Sequence, residues 1–250
     1  PPRWATYMNN ETESSVGESL YIGFHTNAFN GSARGAVGLW NDENLHSGSE
    51  TPNQEALAEY VGREVNEDMR QLDTIYFNGL AEWSNRTTHT FDNSSFPYGE
   101  INNNTINDEF DATIIEIAFH DNADDSTYLR NALARRFTAR AVYNAVVRYF
   151  NDVAGTPLDM LPDEPQNLSA LNATDGSGDV VLSWEAPDIN ASSESGTPGN
   201  IGGDAPNEYA VYVSTNGLDY ELDGTVTAPT TTYRVQGQPN GTTVYAYVTA

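Results

Sequence analysis

The spacing of apolar and polar positions changes along the first 150 residues. Short apolar runs at 19–24 and 35–40 are typical of strands. Residues 112–119 form a nearly continuous apolar run, as in a strand that is buried on both faces of a sheet. Together with the helical segments that separate these runs, they predict an α/β domain with an open, mostly parallel sheet and flanking helices.

Helical spacing of apolar residues predicts a helix over 52–72 and another over 124–150. Thr51 is the expected N-cap of the first helix, with Gln54 three residues later. The side chains expected to face the core from this helix are Leu57, Tyr60, Val61, Val65, Met69 and Leu72. Residues 73–110 are rich in Asn, Thr, Ser and Gly and are predicted to be mostly loop.

A different pattern follows near residue 155. Residues 153–162 have the Pro- and Gly-containing composition of a linker. Beyond them, five short runs of β-branched and aromatic residues are separated by turn residues, at 179–184, 209–213, 219–223, 231–235 and 242–248. The chain is therefore predicted to have an α/β domain at 1–152 and an all-β, immunoglobulin-like sandwich at 163–250.

Charge excludes several function classes. Eleven basic residues, all of them Arg, stand against 36 acidic ones, which gives a net charge of −25. Such a surface repels phosphate backbones, so we expect no nucleic-acid partner, and it is typical of a protein that works in concentrated salt. The absence of Cys excludes disulfides and thiol chemistry, and no apolar run is long enough to predict a membrane span.

Glu116 is the first candidate for chemistry, because it interrupts the apolar strand at 112–119. Strict alternation along this strand places Glu116 and Phe119 on opposite faces. A carboxylate in a buried strand costs several kcal/mol unless it is paired or functional. Glu116 is therefore either a functional acid or base or one member of a structural ion pair.

His25 is the second candidate, because it lies at the carboxyl end of the strand predicted at 19–24. Ligand sites of open α/β sheets lie at that end of the strands. A hydrogen-bonded structural His is the alternative interpretation.

Both candidates lie in segments that resemble a known family. The segment YIGFHTNA at 21–28, followed by Arg34 and Gly35, is similar to the motif around the last zinc-binding His of the type 3 N-acetylmuramoyl-L-alanine amidases. The segment IIEIAFHDN at 114–122 resembles the motif around their catalytic Glu. The resemblance extends over about residues 3–150.

The resemblance implies a peptidoglycan hydrolase that cleaves the amide between N-acetylmuramic acid and L-alanine. Zinc would activate the attacking water, with His25 as a metal ligand and Glu116 as the catalytic base and acid. Asn27 matches the motif and His120 follows Glu116 by four residues, so both are candidate substrate-binding residues. Asn27 as a brace of its loop and His120 as a plain loop residue are the alternatives. The expected partner is peptidoglycan or another cell-wall glycan, and the expected location is secreted, periplasmic or at the cell surface of a bacterium.

The chain departs from the family pattern upstream of His25. The family's first zinc-binding His and its ligand Glu precede this motif, whereas no His occurs among the first 24 residues here. Glu11, Glu13 and Glu18 are present, in a polar stretch that is typical of a solvated loop. We therefore expect either an incomplete amidase domain or a degenerate relative without a full site.

The second domain resembles fibronectin type III. The segment VVLSW at 180–184 is similar to the second strand of that module, with Trp184 as its core anchor, and its last strand is expected to be missing. In secreted hydrolases such modules are spacers or attachment domains. Two further functions stay open: a non-catalytic surface or filament protein that uses the amidase fold as a binding scaffold, and a zinc carboxypeptidase-like enzyme, for which no His-x-x-Glu ligand pair is present.

Overall fold

The computed structural model describes residues 2–10, 19–77, 79–153, 155, 158–187, 203–239 and 241–250. The chain divides into two units, Pro1–Leu158 and Asp159–Ala250. Among the described residues, none of the helices combines the length and apolar character that crossing a membrane requires.

The first unit alternates strands and helices. Its elements are α1 (Pro2–Asn10), β1 (Leu20–Asn27), β2 (Val37–Trp40), α2 (Gln54–Tyr76), β3 (Thr90–Asp92), a 3₁₀ turn (Gly99–Ile101), α3 (Asn103–Ile106), β4 (Asp111–Phe119), α4 (Ala123–Arg130) and α5 (Ala132–Asp152). The strands and helices predicted from apolar spacing are all present, and the segment at 73–110 is mostly loop with three short elements.

The sheet has the strand order β1-β4-β2-β3. β1 pairs with β4 in parallel and β2 with β3 in parallel, but β2 and β4 are antiparallel. Two of the three pairings are therefore parallel, in agreement with the expectation of a mostly parallel sheet, and the antiparallel pairing of β2 with β4 makes the sheet mixed. Residues 28–36, which join β1 to β2, are too few for the dozen-residue crossover that returns a strand in parallel.

Helix α2 lies very close to the sheet. An added Cβ at Gly38 of β2 would lie 2.1 Å from the carbonyl oxygen of Ala58, and one at Gly62 of α2 would lie 2.2 Å from that of His89. The predicted core face is confirmed for its aliphatic members, since Leu57, Val61, Val65, Met69 and Leu72 are buried. Tyr60 is half-buried and donates its hydroxyl to Asp152.

The predicted cap of α2 is wrong. The helix begins at Gln54, and its N-cap is Asn53. Thr51 is fully buried, and its hydroxyl oxygen accepts hydrogen bonds from the Ala112 backbone N–H and the Gln54 side chain. Thr51 therefore joins the helix start to β4 instead of capping the helix.

The helix predicted over 124–150 is two helices. The break is at Asn131, whose extended backbone leaves the helix and whose side chain accepts hydrogen bonds from the N–H groups of Leu133 and Ala134. This Asn caps α5 in the manner typical of the residue type. Helix α5 packs on α2 through a buried ion pair between Arg148 and Glu64, at 3.0 Å.

The described residues of the second unit form two three-stranded antiparallel sheets, ordered β10-β7-β8 and β5-β6-β9. The strands are β5 (Gln166–Asn172), β6 (Val180–Glu185), β7 (Glu208–Ser214), β8 (Glu221–Thr227), β9 (Thr232–Val235) and β10 (Tyr245–Thr249). The five predicted strands are present, while β5, exposed along its whole length, was not predicted. Trp184 is buried against Tyr209, with ring centroids 5.4 Å apart, as expected of a core anchor.

Candidate active site

His25 and Glu116 occupy paired positions on the neighbouring parallel strands β1 and β4. Side chains at such positions extend from the same face of a sheet. The pairing shifts just beyond them, so that Asn27 lies opposite Phe119. Because of this irregularity, Phe119 packs in the apolar cluster that contains Ile114, and it lines the same cavity as Glu116. The expectation that Phe119 and Glu116 lie on opposite faces is therefore wrong.

The Glu116 carboxyl group is half-buried and incompletely satisfied. Its Oε2 atom is buried, and no residue in the described part of the chain forms a hydrogen bond with it. Burial raises the pKa of Glu116, and the negative charge of Glu100 adds to this effect. His25 and His120 lower the pKa, but burial dominates. The protonated form of Glu116 is thus favoured more than that of an exposed carboxyl group.

Glu100 also belongs to this site, although the sequence analysis did not identify it. One of its carboxylate oxygens lies 2.9 Å from Nε2 of His25, and the other accepts a 2.6 Å hydrogen bond from the hydroxyl of Tyr21. Burial, followed by this hydrogen bond, raises the pKa of Tyr21 to about 12. Gly23 leaves the space for this carboxylate, because a Cβ there would lie 2.7 Å from Glu100 Oε1.

Two buried amides hold the 3₁₀ turn that carries Glu100. Asn41 accepts from the Tyr98 N–H at 2.6 Å and donates to the Tyr98 carbonyl at 3.2 Å. Gln54 donates to the Ile101 carbonyl at 2.9 Å. The turn is therefore held by Asn41, which follows β2, and by Gln54 of α2, both distant from it in sequence. The local sequence signal for the turn is limited to the turn-forming residues at 97–99.

Asn27 and His120 lie where β1 and β4 end. The Asn27 side chain accepts a 2.8 Å hydrogen bond from the Ala28 N–H, and its backbone carbonyl accepts one of 2.8 Å from the His120 N–H. His120 Nδ1 lies 3.1 Å from the Thr26 hydroxyl. These contacts brace the strand ends beside Glu116, and Asn27 also lines the cavity at that carboxyl group.

Two cavities adjoin the paired strands. One, of about 520 Å³, is lined by Glu116 together with Asn27, Phe91, Tyr98 and Arg86. Burial and the Glu116 charge raise the pKa of Tyr98 to about 12. The other, of about 690 Å³, is largely apolar and contacts His25 but not Glu116. The first cavity is the candidate substrate site because the unsatisfied carboxyl group lines it.

The described residues supply two donors for a metal ion. Oxygen of Glu100 and Nε2 of His25 lie in direct contact at 2.9 Å, but no group of three His, Cys, Asp or Glu suited to a metal occurs among the described residues. Catalytic zinc sites use three protein ligands. Glu11, Glu13 and Glu18 lie outside the described residues. The described residues alone therefore do not make up a complete zinc site.

Comparison with known proteins gives structural neighbours that are N-acetylmuramoyl-L-alanine amidases. The chain matches no family model and no curated protein. A solved structure of the CwlD amidase from Clostridioides difficile, in complex with the GerS lipoprotein, is 13% identical over 58% of this chain and 59% of its own, with a TM-score of 0.40. An N-acetylmuramoyl-L-alanine amidase from Clostridium difficile 630 is 13% identical over 61% of this chain and 67% of its own, with a TM-score of 0.41.

A third neighbour is AmiC2 of Nostoc punctiforme, which is 11% identical over 60% of this chain and 65% of its own, with a TM-score of 0.39. The chain thus spans about 59 to 67% of the length of these neighbours. Similarity at this level leaves the function to be inferred from the site residues themselves.

Proposed function

We propose that this chain is a peptidoglycan hydrolase that cleaves the amide between N-acetylmuramic acid and L-alanine. The observation that supports this most is the position of Glu116: this residue has a buried, unsatisfied oxygen, lines a cavity and is paired with His25 across β1 and β4, and both residues lie in segments that resemble the amidase motifs.

Glu116 would move the protons of the reaction. As a carboxylate it accepts a proton from the water that attacks the amide carbonyl, and as an acid it then donates that proton to the leaving nitrogen. The water oxygen forms the new bond to the carbonyl carbon as the carbon–nitrogen bond breaks, so the products are a carboxylic acid and a free amine. Partial burial suits this double role because it raises the pKa toward neutrality.

Zinc is the cofactor that the family resemblance implies, and we propose His25 as one of its ligands. Glu100, 2.9 Å from His25 Nε2, is the nearest second donor. When bound, zinc lowers the pKa of its water and polarises the amide carbonyl. The described residues bring only these two donors together. The proton transfers are assigned to Glu116 alone.

The proposed partner is peptidoglycan or a related cell-wall glycan, which places the protein in the secreted, periplasmic or cell-surface compartment. The second unit is proposed to be a fibronectin type III-like module that acts as a spacer or attachment domain. Its two antiparallel sheets around Trp184, Tyr209 and Val211 support that assignment.

A second candidate function is binding without cleavage, as a surface or filament protein. The ion pair between His25 and Glu100 favours it, since Nε2 of His25 then has a protein partner in place of a metal. The described residues also lack a third ligand.

Product analysis separates the two functions. The chain is supplied with Zn²⁺ in molar salt and incubated with purified peptidoglycan, and the released amino termini are labelled and identified by mass spectrometry. New amino-terminal L-alanine on stem peptides supports the hydrolase. Sedimentation with peptidoglycan without new amino termini supports the binding protein.

A further inference from the structure

The cavity beside Glu116 is also lined by a positively charged side chain, that of Arg86. Its walls are apolar, formed by Phe29, Phe91 and Phe119 with Val37 and Leu39, and Arg86 is the basic residue among its lining. Phe29 and Phe91 are 62% and 53% exposed, so the apolar walls are open to solvent and accessible to a ligand. At about 520 Å³, the cavity has the size of sites that bind small molecules and short peptide segments.

Arg86 is held in place by backbone groups. Its Nε donates to the Thr88 carbonyl at 2.7 Å, and Nη1 donates to the Arg34 carbonyl at 3.3 Å. The guanidinium carbon stands 5.8 Å from the centre of the Phe119 ring. These contacts orient the guanidinium group and leave Nη2 without a hydrogen-bond partner among the described residues.

No carboxylate of the described chain forms an ion pair with Arg86. By contrast, Arg34, Arg148 and Arg234 each place a nitrogen within 3.0 Å of a carboxylate oxygen. Burial lowers the pKa of Arg86, the nearby charge of Asp125 opposes this effect, and a guanidinium group stays charged at neutral pH. A half-buried, oriented cation without a carboxylate in direct contact among the described residues is suited to receive an anion from a ligand.

We propose that Arg86 binds a carboxylate of the substrate in the cavity where Glu116 acts, so that the site selects N-acylated amino acids or short peptides that carry a free carboxylate. For the bond that is cut, this inference rests on the proposed function. The planar guanidinium group forms paired hydrogen bonds with a carboxylate, and the three Phe walls contact the apolar part of such a ligand. The net charge of −25 disfavours polyanions such as nucleic acids at this position.

The test measures binding without turnover, in the full chain carrying Glu116→Gln. The probes are N-acetyl-L-alanyl-L-alanine and its carboxamide, which differ only in the terminal charge, and dissociation constants are measured by calorimetry. We expect the free acid to bind about 10-fold more tightly than the carboxamide, because hydrogen bonds to charged groups are the stronger ones. Adding Arg86→Gln should abolish this preference, whereas Arg86→Lys should retain part of it.

Arg130→Gln is the matched control, because it removes the same charge from an exposed position outside the cavity. Equal binding of the two probes, or a preference that survives Arg86→Gln, would overturn the inference. Because Arg86→Gln also removes contacts to Thr88 and Arg34, side-chain ¹⁵N resonances of Arg are followed in the chain that retains Arg86. Shifts of the Arg86 resonance with the free acid and not with the carboxamide support the inference, and their absence contradicts it.

The two proposals fail separately. A preference for the acid that depends on Arg86, in a chain that does not cleave peptidoglycan, supports the binding site and contradicts the hydrolase. Cleavage of peptidoglycan without any preference for the acid supports the hydrolase and contradicts the role of Arg86.

Discussion

Nε2 of His25 lies 2.9 Å from Oε2 of Glu100, although the two residues are 75 positions apart and lie on different elements. The contact depends on Gly23, which leaves room for the carboxylate, and on the turn held by Asn41. Glu100 therefore contacts Nε2, the ring nitrogen through which we propose that His25 binds a metal ion.

The His25–Glu100 pair leads to a prediction about zinc. If both side chains are ligands, Glu100→Gln and His25→Ala should each weaken Zn²⁺ binding by at least the about 10- to 100-fold that the loss of an outer-shell partner costs. Competition with a chromophoric chelator measures both constants, and Glu82→Gln, at an exposed position, is the control. Tighter Zn²⁺ binding by Glu100→Gln would show that Glu100 competes with the metal instead of binding it.

Gly38 should be intolerant of any side chain. Its added Cβ would lie 2.1 Å from a backbone oxygen of α2, which cannot rotate away. We expect Gly38→Ala to lower the free energy of unfolding by about 3 kcal/mol or more, measured by urea denaturation. Gly99→Ala is the control, since no atom lies within 4 Å of its added Cβ. Similar stabilities of the two variants would contradict this close packing of α2 on the sheet.

Asp68 on α2 is a buried carboxyl group whose surroundings favour the protonated form. Burial raises its pKa well above the usual range, and the neighbouring Glu64 and Glu67 add to this, against the opposing effect of Arg148. The Asn144 side chain donates to Asp68 at 3.5 Å, while Asn144 Oδ1 is buried without a hydrogen-bond partner among the described residues. A protonated Asp68 could donate to that oxygen, and so could an amide.

This arrangement predicts the pH dependence of stability. Because the folded-state pKa of Asp68 is raised, its contribution is fully present below the unfolded pKa of about 3.9 and is lost as the pH rises through the folded value. Asp68→Asn should therefore raise the free energy of unfolding at pH 7 by about 1 to 3 kcal/mol and leave it nearly unchanged at pH 3.5. Chemical denaturation at both pH values measures this, and a variant that is less stable at pH 7 would contradict it.

The net charge of −25 predicts salt-dependent stability. Salt shortens the range of charge repulsion from about 10 Å at 0.1 M to about 3 Å at 1 M, which relieves repulsion among the carboxylates of the folded chain. We expect the melting temperature to rise by roughly 5 °C or more between 0.1 M and 2 M KCl in scanning calorimetry. A melting temperature that is unchanged or lower in 2 M KCl would contradict adaptation to salt.

The parts of the fold that follow from burial were predictable from the sequence. The apolar run at 112–119 predicts β4, and the stripe through Leu57, Val61 and Val65 predicts α2, because the spacing of apolar residues reflects the surface that each element buries. The direction of β2 and the presence of the exposed strand β5 were not predictable, because strand pairing and backbone hydrogen bonds have little effect on the spacing of apolar side chains. The apolar stripe continues across Asn131, so apolar spacing does not predict a break there, although an Asn is a common helix cap.

Some residues of the candidate site were likewise predictable from the sequence, and others were not. Glu116 and His25 were identifiable because each is a polar residue at the end of, or within, an apolar strand. Glu100 and Arg86 lie in a long polar segment, where nothing local distinguishes them from their neighbours. They reach the site only through tertiary contacts, from Asn41 to the turn and from Arg86 to the Arg34 carbonyl.

The central claim is that Glu116 is the acid and base of an amide hydrolase, and Glu116→Gln tests it most directly. The rate at which muropeptides release amino-terminal L-alanine is measured for the unchanged chain, for Glu116→Gln and for Glu82→Gln, with the zinc content of each determined on the same samples. The account predicts that Glu116→Gln loses about 10³-fold in rate at unchanged zinc content, while Glu82→Gln retains its activity. Equal rates for the unchanged chain and Glu116→Gln would contradict the assignment.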